Sequence, residues 1–490
     1  MNNNNVTVNR RVRLDNTMVT ESPELNIPSA EKILAVTANC RILGTESLIG
    51  EAKVSGRLFV RAIFLDSEGT PDSAEKVLEF TASISAPKLQ PSCKAFVLGR
   101  VADIVYDGVQ SLSIKVSCEL GGYFIDESVL SILECTESDI LCLSRDLNAE
   151  TIRPLSDAVI QAAQNFDSKK PIAKILSYRS DANLESVTPS AGQYQIEGEI
   201  LTSIVGLDGE NNLFSQTFIL PFAGEFSESA MTDVSEIIAE AIIKSTTVTV
   251  ESEGSESLII EVELGISGCY INPAVFSGIV DAYSISKELM LKTQDINLVT
   301  SKCYRRIRER ISGSESVQGT IKNIECVLSP SAGSVKAMTN FALTVEGVAS
   351  ATVLYSTHEG TLGSITVEVP YQIEVDGKYD CDIDFMPTAI ITGVNAKITG
   401  ASEVEVSFDL AITVYGVKSE EASLVESITY GADKEMGDVA ISLYIAAPDE
   451  SLWNIAKQLS TDEDTLIRLN PEIDLPLKGG EKILLYRSLG

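Results

Sequence analysis

The chain repeats itself, and that repetition limits its fold more than any other feature of its 490 residues. The segment SGRLFVRAIFLDSEG from Ser55 matches EGEILTSIVGLDGEN from Glu197 and EGVASATVLYSTHEG from Glu346, which places Gly56, Gly198 and Gly347 at spacings of 142 and 149. A second anchor, LSIKVSCELGGYFI from Leu112, matches LIIEVELGISGCYI from Leu258 and VEVSFDLAITVYGV from Val404, both at a spacing of 146. Units of this size are far longer than a solenoid repeat and large enough to hold their own cores, so three duplicated domains are expected.

Within the units the hydrophobic period is two. Leu58, Val60, Ala62 and Phe64 alternate with Arg57, Phe59, Arg61 and Ile63, and Ile114, Val116, Cys118 and Leu120 alternate with Ser113, Lys115, Ser117 and Glu119. Such alternation marks half-buried strands. Breaks at Asp66-Ser67-Glu68-Gly69 and Asp208-Gly209 mark hairpins, so each unit is expected to be a β sandwich or small barrel. The stretch Ser156 to Phe166 has helical propensity. Its position ahead of repeat two corresponds to Ser301 to Ser312 ahead of repeat three and to Asn9 to Leu14 ahead of repeat one, so all three are read as extended arms. The basic residues of the first and third arms, Arg306, Arg308 and Arg310 among them, are solvated strand faces or cations that dock on acidic repeats.

The chemistry available to the chain is narrow. His358 is its only histidine and lies in a polar STHEG stretch that reads as a turn. Ser/His/Asp and Cys/His machines and multi-histidine zinc sites therefore have no support. The nine cysteines include no CxxC pair, and no GxxxxGK[ST] or GxGxxG run occurs. No cofactor is expected, and the thiols read as reduced core residues of a cytosolic protein. Asp380, Asp382 and Asp384 have the spacing of a calcium loop, but Phe385 and Ile391 stand where that loop needs glycine and glutamate, so a strand with carboxylates on one face is expected. Cys135 and Cys142, near the end of repeat one, have no base to activate them. A net charge of −32 repels phosphate backbones and anionic lipid, so nucleic acid is a poor partner. Residues 149–300 hold 22 acidic and 8 basic side chains, which makes repeat two the unit best suited to a basic partner. Met1 to Leu14 lacks the apolar stretch of a secretory signal, and no run reaches the roughly 18 apolar residues of a membrane helix.

After Tyr430 the pattern changes. Ile441 to Ile445 reads as a strand, Pro448-Asp449 as a turn, and Leu452, Ile455, Ala456 and Leu459 recur at helical spacing. Thr461 with Asp464 forms a capping signal for a second helix through Leu469, and Lys478-Gly479-Gly480 leads to a strand at Lys482-Ile483-Leu484-Leu485. The run from Tyr444 to Ala456, with Trp453 inside it, followed by Leu466, Asn470-Pro471, Gly480 and Ile483, resembles a LysM module. That resemblance implies a βααβ fold binding N-acetylglucosamine polymers in a shallow groove. By position, the groove candidates are Asp449, Glu450 and Ser451 in the first loop and Asn470, Pro471, Glu472 and Ile473 in the second. Pro448 stands where the family has glycine, Leu485-Tyr486 replaces its terminal Ile-Pro, and Trp453 reads as core rather than ligand platform.

Residues 30 to 436 resemble the SPOCS domains of bacterial spore coat assembly proteins, through the two anchors and the Asp281-Ala282-Tyr283-Ser284 stretch that closes repeat two. Repeats one and three keep only fragments of that stretch. SPOCS repeats with a terminal LysM are similar to SipL-type morphogenetic proteins of endospore formers. The resemblance implies a non-enzymatic adaptor in the mother-cell cytoplasm at the forespore surface, whose LysM module binds a SpoIVA-like coat-basement morphogenetic ATPase, alongside other coat proteins. The alternative is a peptidoglycan or N-acetylglucosamine-oligomer binding protein whose repeats are spacers. The expected layout is mainly β: an arm plus first domain at 1–148, further domains at 149–300 and 301–436, and the small βααβ module at 441–490.

Overall fold

The computed structural model describes residues 2–486 apart from 136, 334, 339–341, 378, 380–382 and 435–440. Repeat one contains β1 (Asn2–Glu21), β2 (Glu24–Asn26), β3 (Ala30–Leu48), β4 (Glu51–Asp66), β5 (Pro71–Ser85), β6 (Ala95–Asp107) and β7 (Ser111–Glu134). Strand β7 is the centre of one antiparallel sheet, with β1 and then β2 along one side and β6 along the other, while β3-β4-β5 is a separate meander. Repeat two copies this plan with β8 (Ile140–Pro154), β9 (Ala158–Ile172), β10 (Lys174–Ser190), β11 (Gln193–Leu207), β12 (Leu213–Ser227), β13 (Glu236–Val250) and β14 (Ser255–Ser284). Here β14 pairs with β8, β9 and β13, and β10-β11-β12 is the meander. Repeat three follows with β15 (Lys287–Ser316), β16 (Ile321–Ser331), β17 (Lys336–Met338), β18 (Leu343–Thr357), β19 (Leu362–Val375), β20 (Asp384–Gly400) and β21 (Glu403–Asp433). Strand β21 lies between β15 and β20, and β18 between β16 with β17 and β19.

Each repeat is thus a two-sheet sandwich whose core joins both sheets. In repeat one Leu58, Val60 and Ala62 of the meander meet Ile114, Val116 and Leu120 of β7. The region with helical propensity, Ser156 to Phe166, lies mainly in β9, because its partner strand in β14 supplies a full ladder of hydrogen bonds. The aligned glycines have a common cause. Gly56, Gly198 and Gly347 stand directly across from Phe80, Phe222 and Tyr371, and those rings fold over the glycine. A Cβ on Gly56 would stand 2.4 Å from Phe80 Cζ, and one on Gly347 2.5 Å from Tyr371 Oη. His358 is exposed in the turn after β18.

The three sandwiches pack around a common axis. Ile63, Val205 and Leu354 occupy equivalent positions on the face of each meander that the alternation turns away from its own core, yet all three are buried in one cluster with Leu34, Leu176 and Cys326. At the other end the equivalent residues Tyr123, Cys269 and Tyr415 meet, together with Ile125, Ile271 and Val417. Beyond them β7, β14 and β21 run on past their sandwiches and pair with β1, β8 and β15 as three two-stranded ribbons. Side chains from all three ribbons share further clusters, one holding Val8, Leu130, Leu147, Phe276, Ile296 and Leu424. The ribbon strands β8 and β15 begin at Ile140 and Lys287, ahead of the limits at 149 and 301. Of the arm cations, Arg306 and Arg308 reach Asn183 and Glu185 of repeat two, whereas Arg310 pairs with Asp409 of its own repeat. Asp380 and Asp382 lie outside the described residues, and Asp384 opens β20.

Candidate functional site

The carboxyl-terminal module folds as β22 (Ile441–Ile445), α1 (Leu452–Gln458), α2 (Glu463–Leu469) and β23 (Lys482–Tyr486), with β22 and β23 antiparallel. Ser451 caps α1, its Oγ accepting from Asn454 N at 3.2 Å, and Leu452, Ile455 and Ala456 bury the inner face of that helix. The second cap is not Thr461 but Asp462, whose carboxylate accepts from Thr465 N at 2.7 Å. Thr461 is used differently, its own N–H bonding Ala456 O and so ending the preceding turn.

The expected groove residues divide by role. Asp449 is exposed at the tip of the first loop with a left-handed φ of 61°. Glu450 turns back on the module, accepting from Ala447 N at 2.9 Å, Tyr444 Oη at 2.7 Å and Gln458 Nε2 at 3.3 Å. The Ala447 N–H, then the Tyr444 hydroxyl, hold its carboxyl below the usual range. Asn470 is buried and pins α2 to β23: its amide donates to Leu466 O and Leu484 O and accepts from Leu484 N. Pro471 and Glu472 are exposed, and Ile473 packs on the module core. Ile473 and Glu472 line a cleft of about 300 Å³ with Asp474, Lys478, Glu481 and Lys482, which joins the second loop to the segment before β23 and not to the first loop. Pro448 contributes to that separation. Gly479 lies so close that a Cβ there would stand 2.8 Å from Pro448 Cα, so the third loop abuts the first.

The module is fastened to the ribbon of repeat two by the stretch Asp281 to Ser284. Asp281 accepts from Trp453 Nε1 at 2.8 Å and from Lys457 Nζ at 2.6 and 2.8 Å. Tyr283 meets the Trp453 ring edge-on at 4.8 Å and donates from its hydroxyl to Thr461 O at 2.7 Å. Lys434 donates to Ser284 O and Ser460 Oγ, and Leu141 joins Tyr283 against the module core. Burial pushes the Tyr283 phenol up, with Glu463 and Asp462 adding to it, so it is a neutral donor. Trp453 is therefore a joint between module and ribbon. Sequence reasoning singled out the Asp281-Tyr283 stretch without its role; the available signal was that repeat two alone keeps it whole.

The module also presents a largely apolar sheet face. Ile441, Leu443 and Ile445 of β22 are 58%, 57% and 61% exposed, Tyr486 of β23 is 50% exposed, and the register sets Ile441 across from Tyr486 and Leu443 across from Leu484. Among the described residues no group of three or more His, Cys, Asp and Glu side chains could hold a metal ion, and no helix is long and apolar enough to cross a membrane. Comparison with protein-family models, with curated proteins and with solved structures finds no match for this chain.

Proposed function

We propose that the chain is a non-enzymatic adaptor of spore coat assembly, with three SPOCS-like repeats as a rigid scaffold and a LysM-like module that docks a protein of the coat base layer, the SpoIVA-like ATPase. In this reading it works in the mother-cell cytoplasm at the forespore surface. The observation that carries the docking role is the apolar face of Ile441, Leu443, Ile445, part-exposed Leu484 and Tyr486, with Lys482 at its end across from Ile445. Solvated sheet faces are ordinarily polar, and a contiguous apolar one with an aromatic at its edge has the composition of a protein interface core. A few such side chains, each contributing about 1.5–3 kcal/mol on full burial, are enough to dominate a small interface. The glycan alternative draws less support, because Glu450 and Asn470 spend their hydrogen bonds inside the module and Trp453 faces the ribbon.

The test is capture of the purified coat-basement ATPase by the full chain and by its Leu443→Lys and Ile445→Glu variants, with N-acetylglucosamine oligomers titrated in parallel. Both variants should lose most of the capture while keeping the thermal midpoint of the unmodified chain. Unchanged capture together with saturable oligosaccharide binding would reverse the assignment.

A further inference from the structure

The axis between the three sandwiches is hollow. A cavity of about 1960 Å³ reaches Phe96 at its ribbon end and Leu34 and Ala35 at the other, and all three repeats line it. In a chain of net charge −32 its interior carries an unexpected balance. Gly99 of β6 stands against Cys40 of β3, a Cβ there falling 2.8 Å from the sulfur, so the next residue on each strand, Arg100 and Arg41, projects from the opposite face into the cavity. Arg306 of repeat three enters the same space.

These three arginines hold neutral acceptors. Arg41 donates to Lys244 O at 3.3 Å and Arg100 to Gly333 O at 3.4 Å. Arg306 donates to Glu185 O at 2.8 Å and Asn183 Oδ1 at 2.6 Å, leaving its buried Nε without a partner. The carboxylates nearby are already engaged: Asp181 by Arg179, Glu185 by Arg308, Asp157 by Lys94 and Glu75 by Arg61. Glu46, Asp103 and Glu368 stand at the exposed rim with Lys244. Inside, Glu240 is the carboxylate that remains, and burial pushes its carboxyl up against the pull of Arg100 and Arg11. Burial likewise works against the charge of Arg41 and Arg306. Partly buried cations whose nearby carboxylates are shared with other cations favour a guest that brings further negative charge.

We propose that this axial cavity binds a small multivalent anion bearing phosphate or carboxylate groups, clamped by Arg41 and Arg100 of repeat one and Arg306 of repeat three. The guanidinium forks suit planar, bidentate recognition of either group. Because the three side chains also bridge neighbouring repeats, the anion would stabilise the threefold assembly as well as occupy it.

The probes are inorganic pyrophosphate, followed by ³¹P NMR, and citrate, followed by titration calorimetry, each with the full chain at low ionic strength. At least one should bind saturably with one site per chain, and which of the two binds identifies the anion group. Joint Arg41→Gln and Arg100→Gln substitution should weaken binding at least tenfold, while Arg57→Gln, an exposed partner of Glu79 outside the cavity, should leave it unchanged. Glu240→Gln decides the matter, since a misfolded chain only loses affinity, whereas removing the interior negative charge should tighten binding by roughly tenfold. Absence of saturable binding for both probes, or no gain with Glu240→Gln, overturns the proposal.

Discussion

Replacing Asp281 with alanine should release the carboxyl-terminal module from its ribbon without unfolding either. The carboxylate accepts from Trp453 Nε1 and twice from Lys457 Nζ, all within 2.8 Å. Hydrogen bonds to a charged group contribute about 1.5–3 kcal/mol each, but the Asp281 and Lys457 side chains are 25% and 40% exposed, so solvent screening reduces the total. A loss of about 2 kcal/mol follows, roughly thirtyfold in the docking equilibrium. Trp453 is the only tryptophan, so the intrinsic fluorescence of the intact chain reads this joint directly. Asp281→Ala should shift its emission to the red and raise its acrylamide quenching; Asp281→Asn, which keeps an acceptor for the indole, should fall between. The joint also has a pH signature. Burial raises the Asp281 carboxyl, but the bonds from Lys457 and Trp453 outweigh it and hold it below the ordinary carboxylate range. A carboxylate held low when docked stabilises the joint above the ordinary value, about 4, and that contribution is lost as pH falls through the docked value. The unmodified chain should therefore show a fluorescence step below about pH 4 that Asp281→Ala lacks. Emission and quenching of Asp281→Ala superimposable on the unmodified chain would refute the reasoning and leave Tyr283 and the apolar contacts as the fastening.

Three other outcomes follow from the structure. Gly198→Ala places a Cβ 2.4 Å from Asn183 O and 2.6 Å from Phe222 Cζ in the centre of a meander, and should cost about 2 kcal/mol, seen as a lower thermal midpoint of the main transition. Ser451→Ala removes the cap of α1 and should cost about 1 kcal/mol, confined to the transition that Trp453 reports. The eight described cysteines are free thiols, so thermal midpoints with and without dithiothreitol should coincide, and a fall of many degrees on reduction would show that cystines form in solution.

Local structure was legible in the order of the residues. A period of two cannot be satisfied by a helix, and three copies of the same alternation at nearly constant spacing predict three copies of the same sandwich; the glycine anchors followed because only a bare Cα lets Phe80, Phe222 or Tyr371 fold across the strand. The βααβ module was legible for the same reason, since its helical and strand periods are local. The destination of the leftover apolar positions was not legible there and depends on long-range packing. Ile63, Val205 and Leu354 sit on the solvent phase of the alternation, and nothing in one strand tells an exposed isoleucine from one that meets its two equivalents on an axis. The same holds for the joint between Asp281 and Trp453, 172 residues apart, and for Asn470, whose place in a groove by position became a pin between helix and strand. Periodicity records which side of a strand a residue faces. Which surface lies on that side depends on contacts between distant segments, which three-dimensional packing alone brings together.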